Sequence, residues 1–157
     1  MDDEDYERYL RLLAGAVRRY RWLCLSYCLM PNHVHLVIET PEPNLGVGMR
    51  WFHGEVGRAF NDRHDRVGHL FERRFWSDRI RDDDQLVIVT GYVVLNPVAG
   101  GLCERPEDWD WGSHAHLTNG HTPEWLAYGD LLGRLDGIAG PCCYDDVVEA
   151  RLRARRA

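Results

Sequence analysis

Between residues 4 and 20 the apolar positions Tyr6, Tyr9 or Leu10, Leu13, Ala16 or Val17, and Tyr20 recur at the helical period and predict an amphipathic helix. Residues 22–29 form an apolar run of strand-favouring types. Pro31-Asn32 interrupts it, and residues 34–39 read as a second strand, so the two are expected to pair antiparallel across a short turn. After the break at Pro41 to Asn44, Val47, Trp51, Val56 and Phe60 predict a second helix over 45–64. Gly48, Gly54 and Gly57 oppose it by about 1 kcal/mol each relative to Ala. Residues 67–80 are aromatic and arginine-rich, and predict an extended or irregular segment with a strand near 75–80. One of Asp82, Asp83 or Asp84 caps a third helix running to about Asn96, where Pro97 ends or bends it. Beyond Arg105 the periodicity loosens into a loop over 106–111 and short helical pieces between Gly-rich breaks.

Composition narrows the class. At 157 residues the chain is one domain's worth, and its 45% hydrophobic and 28% charged content excludes a disordered, collagenous or disulfide-scaffold protein. No apolar run approaches the roughly 18–20 residues that span a bilayer. The acidic start, Met1 to Asp5, is unlike a signal peptide, so no membrane partner and a cytoplasmic location are expected. Five cysteines without a C-x-x-C pair, among them Cys24, Cys28, Cys142 and Cys143, read as reduced thiols. The net charge of −6 argues against a nucleic-acid partner, but its distribution argues otherwise. Residues 50–81 hold eight arginines against five acids, whereas residues 82–110 hold seven acids against Arg105 alone. Backbone binding responds to the local field, not to the total. All nineteen basic residues are arginine, the better fork for phosphate.

Two constellations carry chemistry. On a strand, His33 and His35 share a face, with Val34 turned to the other. The apolar Leu36, Val37 and Ile38 indicate a buried strand, in which two same-facing imidazoles need a partner: a divalent ion, a phosphate, or each other through hydrogen bonds. Tyr92 and Asn96 stand four apart on one face of the third helix. A tyrosine hydroxyl there is either a packed core group or a nucleophile able to form a covalent intermediate. An asparagine oxygen is a hard ligand suited to Mg²⁺ or Mn²⁺. Two imidazoles and one amide oxygen leave coordination positions open for water and a phosphate. Arg73, Arg74, Phe75 and Trp76 interleave cations and rings, as either a single-strand platform or packing against the fold would. Arg50 and Arg58, on the second helix, are placed to reach phosphate. His114-Ala115-His116 repeats the H-x-H spacing, but in a loop-like stretch that fixes no common face.

Three motifs in order, Met30-Pro31-Asn32-His33-Val34-His35-Leu36-Val37, Gly68-His69-Leu70-Phe71-Glu72-Arg73-Arg74-Phe75 and Tyr92-Val93-Val94-Leu95-Asn96-Pro97-Val98, resemble the REP-associated tyrosine transposases. These are relatives of the single-tyrosine insertion-sequence transposases in the HUH endonuclease superfamily. The pattern takes in Pro106-Glu107-Asp108-Trp109-Asp110-Trp111 and covers roughly residues 5–117. The resemblance implies an α+β fold, an antiparallel sheet with helices packed on it, with the family's N-terminal strand missing here. It implies a transposase domain over 1–117 and a C-terminal helical tail over 118–157. It further implies a single-stranded DNA endonuclease and strand transferase acting at hairpin DNA from palindromic repeats, as monomer or homodimer. In that activity His33, His35 and Asn96 hold Mg²⁺ or Mn²⁺, and Tyr92 attacks the scissile phosphate to leave a 5′-phosphotyrosine. Arg50, Arg58, Arg73, Arg74 and Trp76 are the expected DNA contacts. The second reading is a truncated or domesticated relative that binds hairpin DNA without cutting it. The chain departs from the family in Ala99-Gly100-Gly101, where Arg-Ala-Gly is usual, and in Gly91 before the tyrosine.

Overall fold

A computed structural model of the chain describes residues 1–72, 74–118, 120–139, 148, 149, 152 and 153. Its elements are α1 (Asp3–Tyr20), β1 (Leu23–Leu29), β2 (Val34–Glu39), α2 (Leu45–Arg63), α3 (Asp83–Ala99), a 3₁₀ turn (Pro106–Asp108), α4 (Ala115–Thr118) and α5 (Tyr128–Ala139). Strands β1 and β2 form a two-stranded antiparallel sheet, and the class is α+β. The chain divides into two compact units, one of Met1–Leu23 and Glu39–Asp78, the other of Cys24–Ile38 and Arg79–Ala157. Among the described residues no helix is long and apolar enough to cross a membrane.

The first unit is built on α1 and α2. Tyr6, Tyr9, Leu13, Ala16 and Val17 form the buried stripe of α1, as the sequence period requires. Tyr9 meets Phe52 of α2 edge-on, ring centroids 5.0 Å apart. A capping box starts α1, with the Asp5 amide donating to Asp2 and the Asp2 amide to Asp5, each at 3.1 Å. The end of α2 closes on the same carboxylates: Arg63 reaches Asp5 at 2.8 Å, and His64 Nε2 lies 2.8 Å from Asp5. Burial works to raise the Asp5 pKa, but hydrogen bonds from His64, the Asp2 amide and Arg63 together outweigh it and hold the carboxyl below its ordinary value. At the other end of the pair, Trp22 Nε1 donates to Asn44 Oδ1 at 2.7 Å and Asn44 Nδ2 donates to the Tyr20 carbonyl at 3.0 Å. Gly48 lets the Trp22 ring in, since a Cβ there would stand 2.1 Å from Cζ2. Of the glycines that count against this helix, Gly48 is the one its packing requires.

In the second unit β1 is central. Residues 24–29 are all buried. One edge of β1 pairs with β2. The other is closed by later segments, with Leu29 N donating to Trp111 O (2.9 Å), Ser113 N to Tyr27 O (2.9 Å) and Ala127 N to Cys24 O (2.8 Å). Cys24 and Cys28 are free and buried, and burial pushes both thiols up to about 12. Helix α3 packs against α5 and the 3₁₀ turn, capped at its start by Asp82, which accepts from the Gln85 amide at 2.8 Å.

Three expectations are corrected. Residues 75–80 form no strand: Phe71 stacks on His53 of α2 at 4.2 Å and Phe75 meets the same ring at 6.4 Å. That β-favouring run has no neighbouring strand to pair with among the described residues; Phe75 packs on His53 instead, and Trp76 stays exposed. Strand β2 is only half-buried, Val37 alone being fully so, because it is the edge of a two-stranded sheet. Pro97 does not end α3, which runs on to Ala99: the missing N–H is one helical bond, and Gly100 N still donates to Asn96 O at 2.8 Å. Cys142 and Cys143 lie outside the described residues.

Three substitutions check this packing. Gly48→Ala is expected to cost about 1–3 kcal/mol in urea unfolding, because the Trp22 ring is held by Asn44 and cannot retreat. Gly54→Ala, with nothing within 4 Å of the added carbon, is expected to gain about 0.5–1 kcal/mol. The depressed Asp5 value contributes stability that is complete above the ordinary carboxylate range and is lost as pH falls through the folded-state value. Asp5→Asn is therefore expected to cost about 1–3 kcal/mol at pH 7 and to flatten the fall in stability on acidification.

Candidate active site

The turn between the strands positions the first imidazole. Met30 N donates to His33 O at 2.9 Å, closing a tight turn over Pro31-Asn32 and starting β2 with His33 on the same face as His35. The two rings stand 4.9 Å apart, nearly perpendicular. His33 Nδ1 lies 2.7 Å from Asn32 Oδ1. An amide oxygen accepts, so Nδ1 carries a hydrogen, and in the neutral ring Nε2 is the nitrogen that has the lone pair. Asn32 thereby fixes this tautomer, a role that its place in the Pro31-Asn32 turn does not signal.

His35 is half-buried, and its Nε2 is fully enclosed without a hydrogen-bond partner among the described residues. Burial lowers its pKa most, the neighbouring His33 lowers it further, and the Asn96 amide pulls the other way. The outcome is a ring held neutral, the form that binds a metal. Helix α3 supplies the remaining groups. Tyr92 sets its ring edge-on to His35, centroids 5.3 Å apart, and is 57% exposed. Asn96, one turn on, is buried at the same end of His35 chemistry, where its amide acts on that ring. All four residues thus meet within the second unit. An orphaned buried ring nitrogen, a second lone pair on His33 and a buried amide oxygen make a nitrogen–nitrogen–oxygen donor set that fits Mg²⁺ or Mn²⁺.

The expected DNA contacts belong to the first unit. Arg50 is exposed with no ion pair among the described residues, whereas Arg58 is paired with Glu55. Arg74 is exposed, and Trp76, at 84% exposure, leaves its ring faces open, unlike Phe71 and Phe75. Arg73 lies outside the described residues. The second H-x-H pair does not join the site: His114 is buried, and His116 Nε2 lies 2.8 Å from the Tyr27 hydroxyl, which stacks with its own ring on Trp125. A buried polar link that the sequence did not signal joins Ser26 and Ser113, hydroxyl to hydroxyl at 3.0 Å, and ties residues 112–113 to the central strand.

With this geometry in hand, the relatives are informative. The model of the family described as Transposase IS200 like matches residues 1–95, a span that includes His33, His35 and Tyr92 and ends one residue before Asn96. A Haemophilus influenzae protein assigned as a REP-associated tyrosine transposase is 29% identical over 105 residues, covering 60% of this chain and 60% of that protein. The REP-associated tyrosine transposase of Escherichia coli K12 is 25% identical over 108 residues, covering 68% of this chain and 62% of its own. The chain thus spans about three fifths of the length of the curated relatives it matches. A solved structure of a REP-associated tyrosine transposase bound to a REP hairpin shares the fold at a TM-score of 0.61, with 21% identity, over 77% of this chain and 72% of that one. The match over more than half of its length, on residues that the fold brings together, shows that this chain belongs to the IS200-like transposase family.

Proposed function

We propose that the protein is a metal-dependent, cytoplasmic endonuclease and strand transferase that acts on single-stranded DNA beside a hairpin and works through Tyr92. The observation that carries this reading is the placement of the exposed Tyr92 ring 5.3 Å from an imidazole whose buried Nε2 has no hydrogen-bond partner among the described residues. A phenol packed for stability alone has no need of such a neighbour, and a buried ring nitrogen left unbonded is costly unless something binds it. Family membership and the hairpin bound by the structural relative support DNA as the substrate class.

His33 and His35 would hold the ion through Nε2, with Asn96 supplying an oxygen. When bound, a Mg²⁺ or Mn²⁺ ion polarises the scissile phosphate and stabilises the charge that develops on it. The chain's own part is placement. The β2 register aims both imidazoles at one side, and α3 sets the nucleophile against them. Because Tyr92 is more than half exposed, its proton can pass to solvent as its oxygen bonds to phosphorus. The phosphorus–O3′ bond breaks, the leaving oxygen takes up a proton as a 3′-hydroxyl, and the 5′ end stays on Tyr92 as a phosphotyrosine. Reversal by a 3′-hydroxyl releases the enzyme and rejoins a strand, which is the chemistry of DNA transposition and recombination.

Incubation with labelled hairpin DNA carrying a single-stranded flank, plus Mn²⁺, is expected to give a denaturant-stable adduct that Tyr92→Phe abolishes. His35→Ala is expected to lower its formation by on the order of 100-fold. Cleavage without an adduct, or an adduct that survives Tyr92→Phe, rejects the tyrosine mechanism. Hairpin binding with neither points to a DNA-binding protein that does not cut.

A further inference from the structure

The acids of the first unit are distributed unevenly among its arginines. Glu4, Glu7, Glu55 and the Asp2–Asp5 pair engage Arg8, Arg11, Arg58 and Arg63. Arg18, Arg19 and Arg21 at the end of α1, and Arg50 in the second turn of α2, are exposed and have no carboxylate partner among the described residues. Glu42, in the loop before α2, is also exposed and pairs with none of them. The helix ends that carry these four arginines are locked together. Asn44 bonds both the Tyr20 carbonyl and Trp22, and the Arg19 guanidinium lies 5.2 Å over the ring of Trp51, the residue after Arg50.

Helix stability does not account for this concentration of charge. A helix C-terminus gains from cations in its last turn, and Arg18 and Arg19 already supply them. Arg21 stands beyond that turn at φ 55, in the left-handed region where Gly or Asn is usual, so an arginine is kept there against its conformational preference. Helix α2 begins at the same corner with no acid in its first turn and no side chain capping its amides, so its partial positive charge adds to the guanidinium groups. The rings nearby are already engaged: Tyr20 stacks on Trp22 at 5.5 Å, and Trp51 lies against Tyr20 and beneath Arg19. A platform for unpaired bases needs open ring faces. This corner offers charge without them, the requirement for contacting phosphates and not bases.

We infer that Arg18, Arg19, Arg21 and Arg50 form a phosphate-binding patch that grips the backbone of a duplex DNA stem without reading its sequence. This inference rests on the reading of DNA as the substrate. The test uses the full chain, a DNA hairpin with a long paired stem and an unstructured strand of equal length, with affinities measured across a series of NaCl concentrations. R18Q/R19Q/R21Q is expected to reduce the slope of log affinity against log salt on the hairpin by about 2–3, whatever the stem sequence. Lysine at the same three positions is expected to keep that slope, and R8Q/R11Q, whose arginines are already paired, to leave it unchanged. An undiminished slope in the triple variant, an equal loss in R8Q/R11Q, a larger loss on the unstructured strand, or no hairpin binding by the wild-type chain overturns the patch. A Tyr92 adduct that forms with an undiminished slope sinks the patch alone. Patch-dependent binding without any adduct sinks the cutting mechanism and leaves the patch standing.

Discussion

A strand buried on every side must have all of its backbone groups bonded, and β1 meets that demand from both edges at once. One edge pairs with β2, and the other is closed by the backbone of Trp111, Ser113 and Ala127. The register of β2 against β1 therefore decides which way the catalytic candidates face. A slip of one residue would turn both imidazoles of His33 and His35 to the opposite face and bring Val34 and Leu36 in their place. The closure of β1 by segments more than eighty residues away, reinforced by Ser26 against Ser113 and by Trp109 Nε1 donating to Leu29 O at 3.0 Å, is what makes that slip expensive.

The chemistry grows out of the same constraint. Helix α3 is polar in its first turn and buried from Thr90 to Pro97 except at Tyr92, which it leaves exposed, and it turns Asn96 inward. Burial that would penalise a charged imidazole instead favours neutral His35, and Asn32 selects the Nδ1–H tautomer of His33. Imidazole nitrogens in their metal-binding form and an amide oxygen carry no charge of their own, so a divalent ion among them would keep its full polarising effect on a phosphate. In the first unit the pattern is one of charge sorting. Asp2, Glu4, Asp5, Glu7 and Glu55 engage some arginines, while Arg18, Arg19, Arg21 and Arg50 at one corner have no carboxylate partner among the described residues, although the chain as a whole is acidic.

Much of this was legible in the sequence because it depends on short-range periodicity. The apolar stripe of α1, the two strands about Pro31-Asn32, the Asp82 cap and the shared face of His33 and His35 all follow from local spacing. So does the approach of Tyr92 and Asn96 to one another on α3. What brought those two to the histidines is long-range packing, which spacing does not encode and which only the motif order suggested. The strand expected over 75–80 failed because β propensity needs a neighbour, and there Phe75 met His53 instead while Trp76 stayed exposed. The closing segments at 111–113 and 126–127 have no periodic signature, and neither does the partition of arginines into paired and bare. Gly48 looked like a helix weakener until the Trp22 ring gave it a packing reason.

The central claim, that two imidazoles and an amide oxygen converge on one ion beside the Tyr92 hydroxyl, is tested most directly by anomalous diffraction from crystals of the protein soaked in Mn²⁺. A single strong peak bonded by Nε2 of His33, Nε2 of His35 and the Asn96 oxygen is expected, with the phenol of Tyr92 facing its open side. A peak elsewhere, or a fully loaded crystal in which His35 Nε2 stays unbonded and Tyr92 points away, would contradict it.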